Sequence, residues 1–430
     1  MNYILSFLLI ATVSMADGIT IKDSYDRALE YEANVQSNIH QTRAKKEEID
    51  QSKSRLYPKL DLSVSGTAGN YDVKSDYYGD GTRRERYLYY KVGGQLPIYH
   101  PENFNLLDQA KLKYKYSDLI LNQTKQELAF NVSDAYLAII KAKNSLSVAK
   151  AYEELNKIKY EQIKAKYDKR LANKMDLLQS KVTHQESVIK VKSEKRNLSL
   201  AKHKFQNLTG IENVTIPDIT LDNIDMSKLV LPFDKNDLKQ MNLELKKSDI
   251  NIDLTEKEKK NSKYGWYPKV DLSATAARYN ATSRYRDYTH ELTATLTVSM
   301  PIYDGGYTSS RVEQYQELVS AANEDKLQKA RDIEAKYDEF IINLNTAREN
   351  IQLYRETIDS AKLYLYATNQ AYEHGLTSLI DVEDAKTRLF EAKLKLIDSV
   401  YNFMKSYTSL LNLYGVFDEQ KLEELDDALF

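Results

Sequence analysis

The sequence predicts a mainly α-helical protein with a small β part, built from a duplicated unit of helix, β-hairpin and long helical hairpin. Three observations lead there. Gly (13) and Pro (7) are scarce in 430 residues, which favours long uninterrupted helices. Two separate stretches alternate apolar and polar residues, as strands with one wet face do. The same motifs then recur in the same order about 205 residues further on.

Residues 1–16 read as an export signal. Ile4 to Val13 is an apolar run too short to span a bilayer, and Ser14-Met15-Ala16 fits a small-x-small cleavage site before Asp17. Its start, Asn2 and Tyr3, carries no basic side chain. No later stretch approaches a transmembrane helix, whereas the weaker pattern of transmembrane β-strands remains compatible with the chain. With 61 Lys and Arg against 63 Asp and Glu the net charge is −2, which argues against a nucleic-acid binder. Cysteine is absent, so there is neither a disulfide framework nor a cysteine to acylate.

The first repeat is read over 17–210. Asp23 to Ser54 is polar and helix-prone. From Tyr57-Pro58-Lys59-Leu60 the period changes: Leu60, Leu62, Val64, Gly66 and Ala68 alternate with Asp61, Ser63, Ser65 and Thr67. Tyr77 to Gly81 makes a turn, and a second extended run ends in Leu96-Pro97-Ile98-Tyr99, placing the strands at about 57–99. Tyr77, Tyr78, Tyr87, Tyr89 and Tyr90 suit an interfacial aromatic girdle or plain strand positions equally. A helical hairpin covers about 104–208. In its first helix Leu128, Val132, Ala135, Ile139, Ala142, Leu146 and Ala149 follow a heptad seam. About 65 residues at about 1.5 Å each give that helix a length near 100 Å.

A connection with Pro217 and Pro232 spans 211–237, and the second repeat is read over 238–415. Asn242-Leu243-Glu244-Leu245 opens a polar helix that reaches Lys263. Tyr267-Pro268-Lys269-Val270 repeats the earlier strand start, and Met300-Pro301-Ile302-Tyr303 repeats the earlier strand end, placing the strands at about 267–303. The second helical hairpin covers about 307–413 and returns along Val382, Ala385, Leu389, Ala392, Leu396, Val400 and Phe403. Residues 416–430 form a C-terminal tail.

Each helical hairpin turns at a tip. At the second, Gly375 can stop the helix in the left-handed conformation, and Ser378 and Asp381 offer acceptors to the next helix's first turn. The first tip matches it: Tyr167 with Tyr372, Leu171 with Leu376, Asp176 with Asp381. Arg170 stands where the second tip has Gly375.

The whole chain resembles the TolC family of outer-membrane efflux channels. The Tyr-Pro-Lys strand starts carry the resemblance, with Pro301 to Gly306, Gly375-Leu376 and Ile380-Asp381-Val382-Glu383-Asp384-Ala385. The resemblance implies a homotrimer in the cell outer membrane. Twelve strands would make a shared β-barrel, continued by a periplasmic α-helical barrel. It implies passive conduction in a tripartite efflux or type I secretion system. A periplasmic adaptor and an inner-membrane pump of RND or ABC type would be the partners, with outer-membrane lipid around the barrel. Four strands in one protomer leave open edges that lipid does not tolerate, and trimerisation removes them.

The resemblance also assigns residues. Asp381 and Asp384 match paired aspartates of the pore constriction, although by spacing alone they read first as helix-start acids. Six such carboxylates near one axis would repel, and some should have raised pKa values. Tyr372 and Asp176 match contacts that hold the gate closed. Thr377 departs from the family, whose best-known member has an arginine there. Arg170, Leu171, Gly375 and Leu376 form the adaptor-docking tips, unless the leucines pack on their own hairpins.

The sequence offers no catalytic constellation, no cofactor motif and no metal-ligand spacing among His40, His100, His184, His203, His290 and His374, so an enzyme is not expected. The rival reading is an exported periplasmic coiled-coil adaptor or scaffold, which has no need of two matched β-hairpins.

Overall fold

The computed structural model describes residues 18–74, 81–219, 224, 226–231, 234–283 and 286–429. The export signal, Tyr77, Tyr78 and Pro232 lie outside the described residues. The chain order is α1 (Ile21–Tyr31), α2 (Ala33–Ser54), β1 (Lys59–Val73), β2 (Gly81–Tyr99), α3 (Pro101–Asp168), α4 (Lys174–Thr209), α5 (Lys235–Met241), α6 (Leu243–Lys263), β3 (Lys269–Ser283), β4 (Arg286–Ser299), α7 (Tyr307–Glu373), α8 (Leu379–Tyr414) and α9 (Glu419–Leu429). Helix α3 has 68 residues and α7 has 67. No described helix is long and apolar enough to cross a membrane.

The first repeat contains a helix break that the sequence pattern did not reveal, and the second a short extra helix, α5. The polar helix expected over Asp23–Ser54 is interrupted at Glu32, whereas the second polar helix follows Asn242 as expected but is preceded by α5, which ends at that residue. Both residues leave helical geometry, with ψ of 111° and 126°. Gln36 Nε2 donates to the Leu29 carbonyl across the break at Glu32, and Asn242 Oδ1 accepts from the Leu245 amide to cap the start of α6. Propensity alone hides such a break, because polar side chains read as helix formers on either side of it.

The chain divides into two compact units that cut across the repeats. One comprises Ile39–Ile120 and Lys246–Gln328 and holds the β-sheet. That sheet is antiparallel throughout, in the order β1-β2-β3-β4, so the two hairpins of the repeats are joined by pairing β2 with β3. The register keeps the alternation in phase across all four strands. Leu62 faces Val92, which faces Ala276, which faces Leu292; in a second rung Leu96 faces Leu272, which faces Leu296. Directly opposed residues share a face, so these rungs make one continuous apolar side. The other side carries rungs such as Asp61, Gly93, Thr275 and Thr293. The register slips between Pro97 and Tyr99 of β2, where proline has no N–H to give the ladder, and again between Asn280 and Ser283 near the end of β3. Leu60, Leu62, Val64, Leu292 and Leu296 are exposed on the apolar side.

The other unit comprises the residues up to Asn38, Leu121–Leu245 and those from Lys329 onward. Helix α8 is its centre, with Phe403, Met404, Tyr407, Leu410, Leu411 and Tyr414 buried. All seven seam residues of α3 are buried as well. Asp134 of α3 accepts from Tyr401 of α8 at 2.7 Å and from Lys204 of α4 at 3.1 Å, tying three helices. Burial would push this carboxyl up, but those two donors outweigh it and hold it below the usual range. The tail α9 packs Leu422, Leu425 and Leu429 inward, and Asp426 accepts from the amides of Ile21 and Lys22 at the start of α1.

Candidate gate and docking site at the hairpin tips

Both tips lie in the unit built on α8. At the second, α7 ends at Glu373 and the chain turns through Gly375, which has φ 73°. Leu376 N donates to the Ala371 carbonyl at 2.8 Å and Gly375 N to the Tyr372 carbonyl at 3.0 Å, a Schellman pattern. At the first tip Arg170 takes the same conformation with φ 59°, and among the described residues no other non-glycine has positive φ. Leu171 N donates to the Lys166 carbonyl and Arg170 N to the Tyr167 carbonyl, both at 2.8 Å. The departure from glycine is therefore a departure in residue type and not in backbone.

The turn holds the following leucine out of its own helix. Leu171 is 74% exposed and Leu376 is 81% exposed, so neither packs locally in the single chain. Met175 and Ile380, one turn further on, are also exposed. The tips differ in charge. Lys164, Lys166, Lys169, Arg170, Lys174 and Lys181 are exposed round the first, and none is in an ion pair among the described residues. Glu161 and Asp168 are exposed among them, and the second tip carries Glu373, Asp381 and Asp384, the last paired with Arg388.

Asp381 closes a capping box. Ser378 Oγ accepts from the Asp381 amide, and the Asp381 carboxylate accepts from the Ser378 amide at 3.0 Å, the Ser378 hydroxyl at 2.6 Å and the Thr377 hydroxyl at 2.5 Å. Those bonds, Ser378's first and Thr377's next, hold the carboxyl down to about 2. Repulsion within a ring would act in the opposite direction. Thr377 thus serves the cap. Asp384, one turn on, accepts from Arg388 Nε at 2.8 Å.

Tyr372 and Asp176 are within electrostatic reach: burial first, then the Asp176 charge, raises the Tyr372 hydroxyl. No hydrogen bond joins them among the described residues. Instead Lys159 Nζ sits 4.4 Å over the Tyr372 ring, and burial and then the Lys386 charge lower its pKa.

Behind the exposed aspartates lies a group that sequence reasoning missed. Lys386 Nζ donates to Glu383 Oε1 at 3.0 Å and to Asn156 Oδ1 of α3 at 3.3 Å, and all three residues are buried. Thr387 and the Tyr152 hydroxyl lie 3.0 Å apart beside them. The available signal was spacing: Glu383 and Lys386 are i, i+3, while Asp384 and Arg388 are i, i+4. Both read as surface pairs, and only packing shows that the first faces α3.

A two-faced sheet with open edge strands, joined to two long helical hairpins, defines the class of channel-forming outer-membrane proteins. The chain belongs to the outer membrane efflux protein family, whose model matches residues 24–201 and 236–416. It is 24% identical to the outer membrane protein TolC of Escherichia coli over 89% of this chain and 79% of that protein. It is 20% identical to the alkaline protease secretion protein AprF of Pseudomonas aeruginosa over 98% of this chain and 90% of that one. The CmeC outer membrane channel of Campylobacter jejuni shares the fold with a TM-score of 0.80 at 13% identity, over 95% of this chain and 90% of that one. The relatives are channel proteins and not enzymes, which makes this chain an outer-membrane efflux or secretion channel.

Proposed function

We propose that three copies close their sheet edges into one twelve-stranded barrel through the outer membrane, entered from a periplasmic helical tunnel. The observation that carries this is the sheet's exposed apolar face with a polar back and two unpaired edge strands, which lipid would not tolerate in a monomer. Residues 1–16 serve export. The repeats 17–210 and 238–415 supply matching halves of each subunit, with 211–237 between them and 416–430 as the tail. Conduction is passive, in a tripartite efflux or type I secretion system with a periplasmic adaptor and an inner-membrane pump. An adaptor or scaffold role for this chain would leave the apolar sheet face without a purpose.

In this reading Asp381 and Asp384 line the periplasmic constriction, Tyr372 and Asp176 belong to the gate, and Arg170, Leu171, Gly375 and Leu376 dock the adaptor. The leucines are exposed apolar anchors, and the unpaired cations round Leu171 suit an adaptor surface with an acidic rim. Purified protein should be trimeric in detergent and should give single-channel conductance in planar bilayers. A water-soluble monomer without channel activity would overturn the proposal.

A further inference from the structure

We infer that Arg388 sets the ion selectivity of the constriction by adding a ring of positive charge next to the Asp384 ring. The inference rests on the reading that the start of α8 lines the pore. Asp381, Asp384 and Arg388 stand at i, i+3 and i+7, spacings that share one helix face, and all three are exposed. Residues between them, Val382, Glu383, Ala385 and Lys386, are buried against the rest of the unit. A pore that meets the two aspartates therefore meets Arg388 within one further turn.

The pairing fixes how that charge is placed. Arg388 Nε donates to Asp384 Oδ2 at 2.8 Å, and the Asp384 carboxylate in turn strengthens the hold of the guanidinium on its proton. Such an exposed i, i+4 pair contributes little to stability. Its electrostatic effect does not depend on that energy, because a guanidinium is charged at any working pH. Each protomer thus brings two negative charges and one positive to the constriction. A trimer would carry a net −3 there, against −6 for the aspartates alone. Glu391 and Lys395, also exposed, continue the alternation of sign along the same face. A passage lined by alternating rings concentrates counter-ions less than one lined by a single sign.

The test is reversal potential in planar bilayers under a KCl gradient, using full-length trimer for Asp381→Asn with Asp384→Asn, Arg388→Gln and Arg388→Lys. Arg388→Gln should raise the permeability ratio of K+ over Cl− by about two- to tenfold. Arg388→Lys should stay near the wild type, since it keeps the charge at an exposed site. The gain should fade toward 1 M salt, where the Debye length is about 3 Å. If the double aspartate variant leaves selectivity unchanged, α8 does not line the constriction, and the functional reading falls together with the inference. If that variant lowers cation preference but Arg388→Gln leaves it as it was, the inference alone is overturned.

Discussion

Arg170 and Gly375 hold the same left-handed backbone position, with φ of 59° and 73°, at equivalent places in the two hairpin tips. Each lies inside the same pair of turn hydrogen bonds, so the duplicated tips share a backbone despite different residues. A left-handed conformation costs a residue with a Cβ about 1–2 kcal/mol. The first tip bears that cost and the second does not.

Exchange of residue type should therefore move the tips in opposite directions. Arg170→Gly should stabilise the first by up to about 1 kcal/mol, the strain relieved exceeding the entropy gained by the unfolded chain. Gly375→Ala should cost the second about 1 kcal/mol by strain alone, since a Cβ there meets nothing within 4 Å. Hydrogen exchange of tip peptides reads both, as slower exchange after the first change and faster after the second. Equal protection in all three proteins would contradict the shared geometry.

The capping box at Asp381 should be acid-resistant. An aspartate normally titrates near 3.9, about two units above the value that the Ser378 and Thr377 bonds impose here. The box's stabilisation is therefore fully present above about pH 4 and is lost as pH falls through about 2. Protection of the 376–384 segment, taken as the ratio of wild type to Asp381→Asn at each pH, should hold to pH 4 and then collapse toward unity. A ratio of one at neutral pH would show that the carboxylate does not cap the helix.

The buried Glu383–Lys386 pair should be costly to break and cheap to replace. Lys386→Met takes the donor away from buried Glu383, and should destabilise by about 3–5 kcal/mol. Glu383→Leu with Lys386→Met removes both charges and should recover most of that loss. Thermal unfolding of the detergent-solubilised protein distinguishes the two variants. Equal midpoints for wild type and Lys386→Met would mean that water reaches the pair.

The exposed leucines test docking apart from assembly. Leu171→Asp and Leu376→Asp remove no buried contact, so trimer formation and outer-membrane insertion should be unchanged. Pump-dependent export should be lost, because a charge at the centre of an apolar anchor is left unpaired in the complex. Wild-type export by both variants would rule out tip docking.

The sequence by itself determined the duplication, the type and order of the long elements, and the tips. These features are local: a period of 2 or 3.6, a glycine after a helix, a serine three residues before an aspartate. It also determined that β1 and β3 would each have one apolar side. Only the tertiary structure decided that β2 pairs with β3, which brings the apolar sides of two distant hairpins onto one face. Register between strands so far apart in sequence depends on packing, and no local rule states it. The break at Glu32 was equally hidden, since one extended residue leaves the helical pattern on either side intact. The interleaved charges of α8 show the same division. Asp384 with Arg388 and Glu383 with Lys386 have nearly the same spacing, yet one pair is open to solvent and the other is buried against Asn156. Spacing determines which side chains share a helix face, whereas the neighbouring helix determines which face is covered.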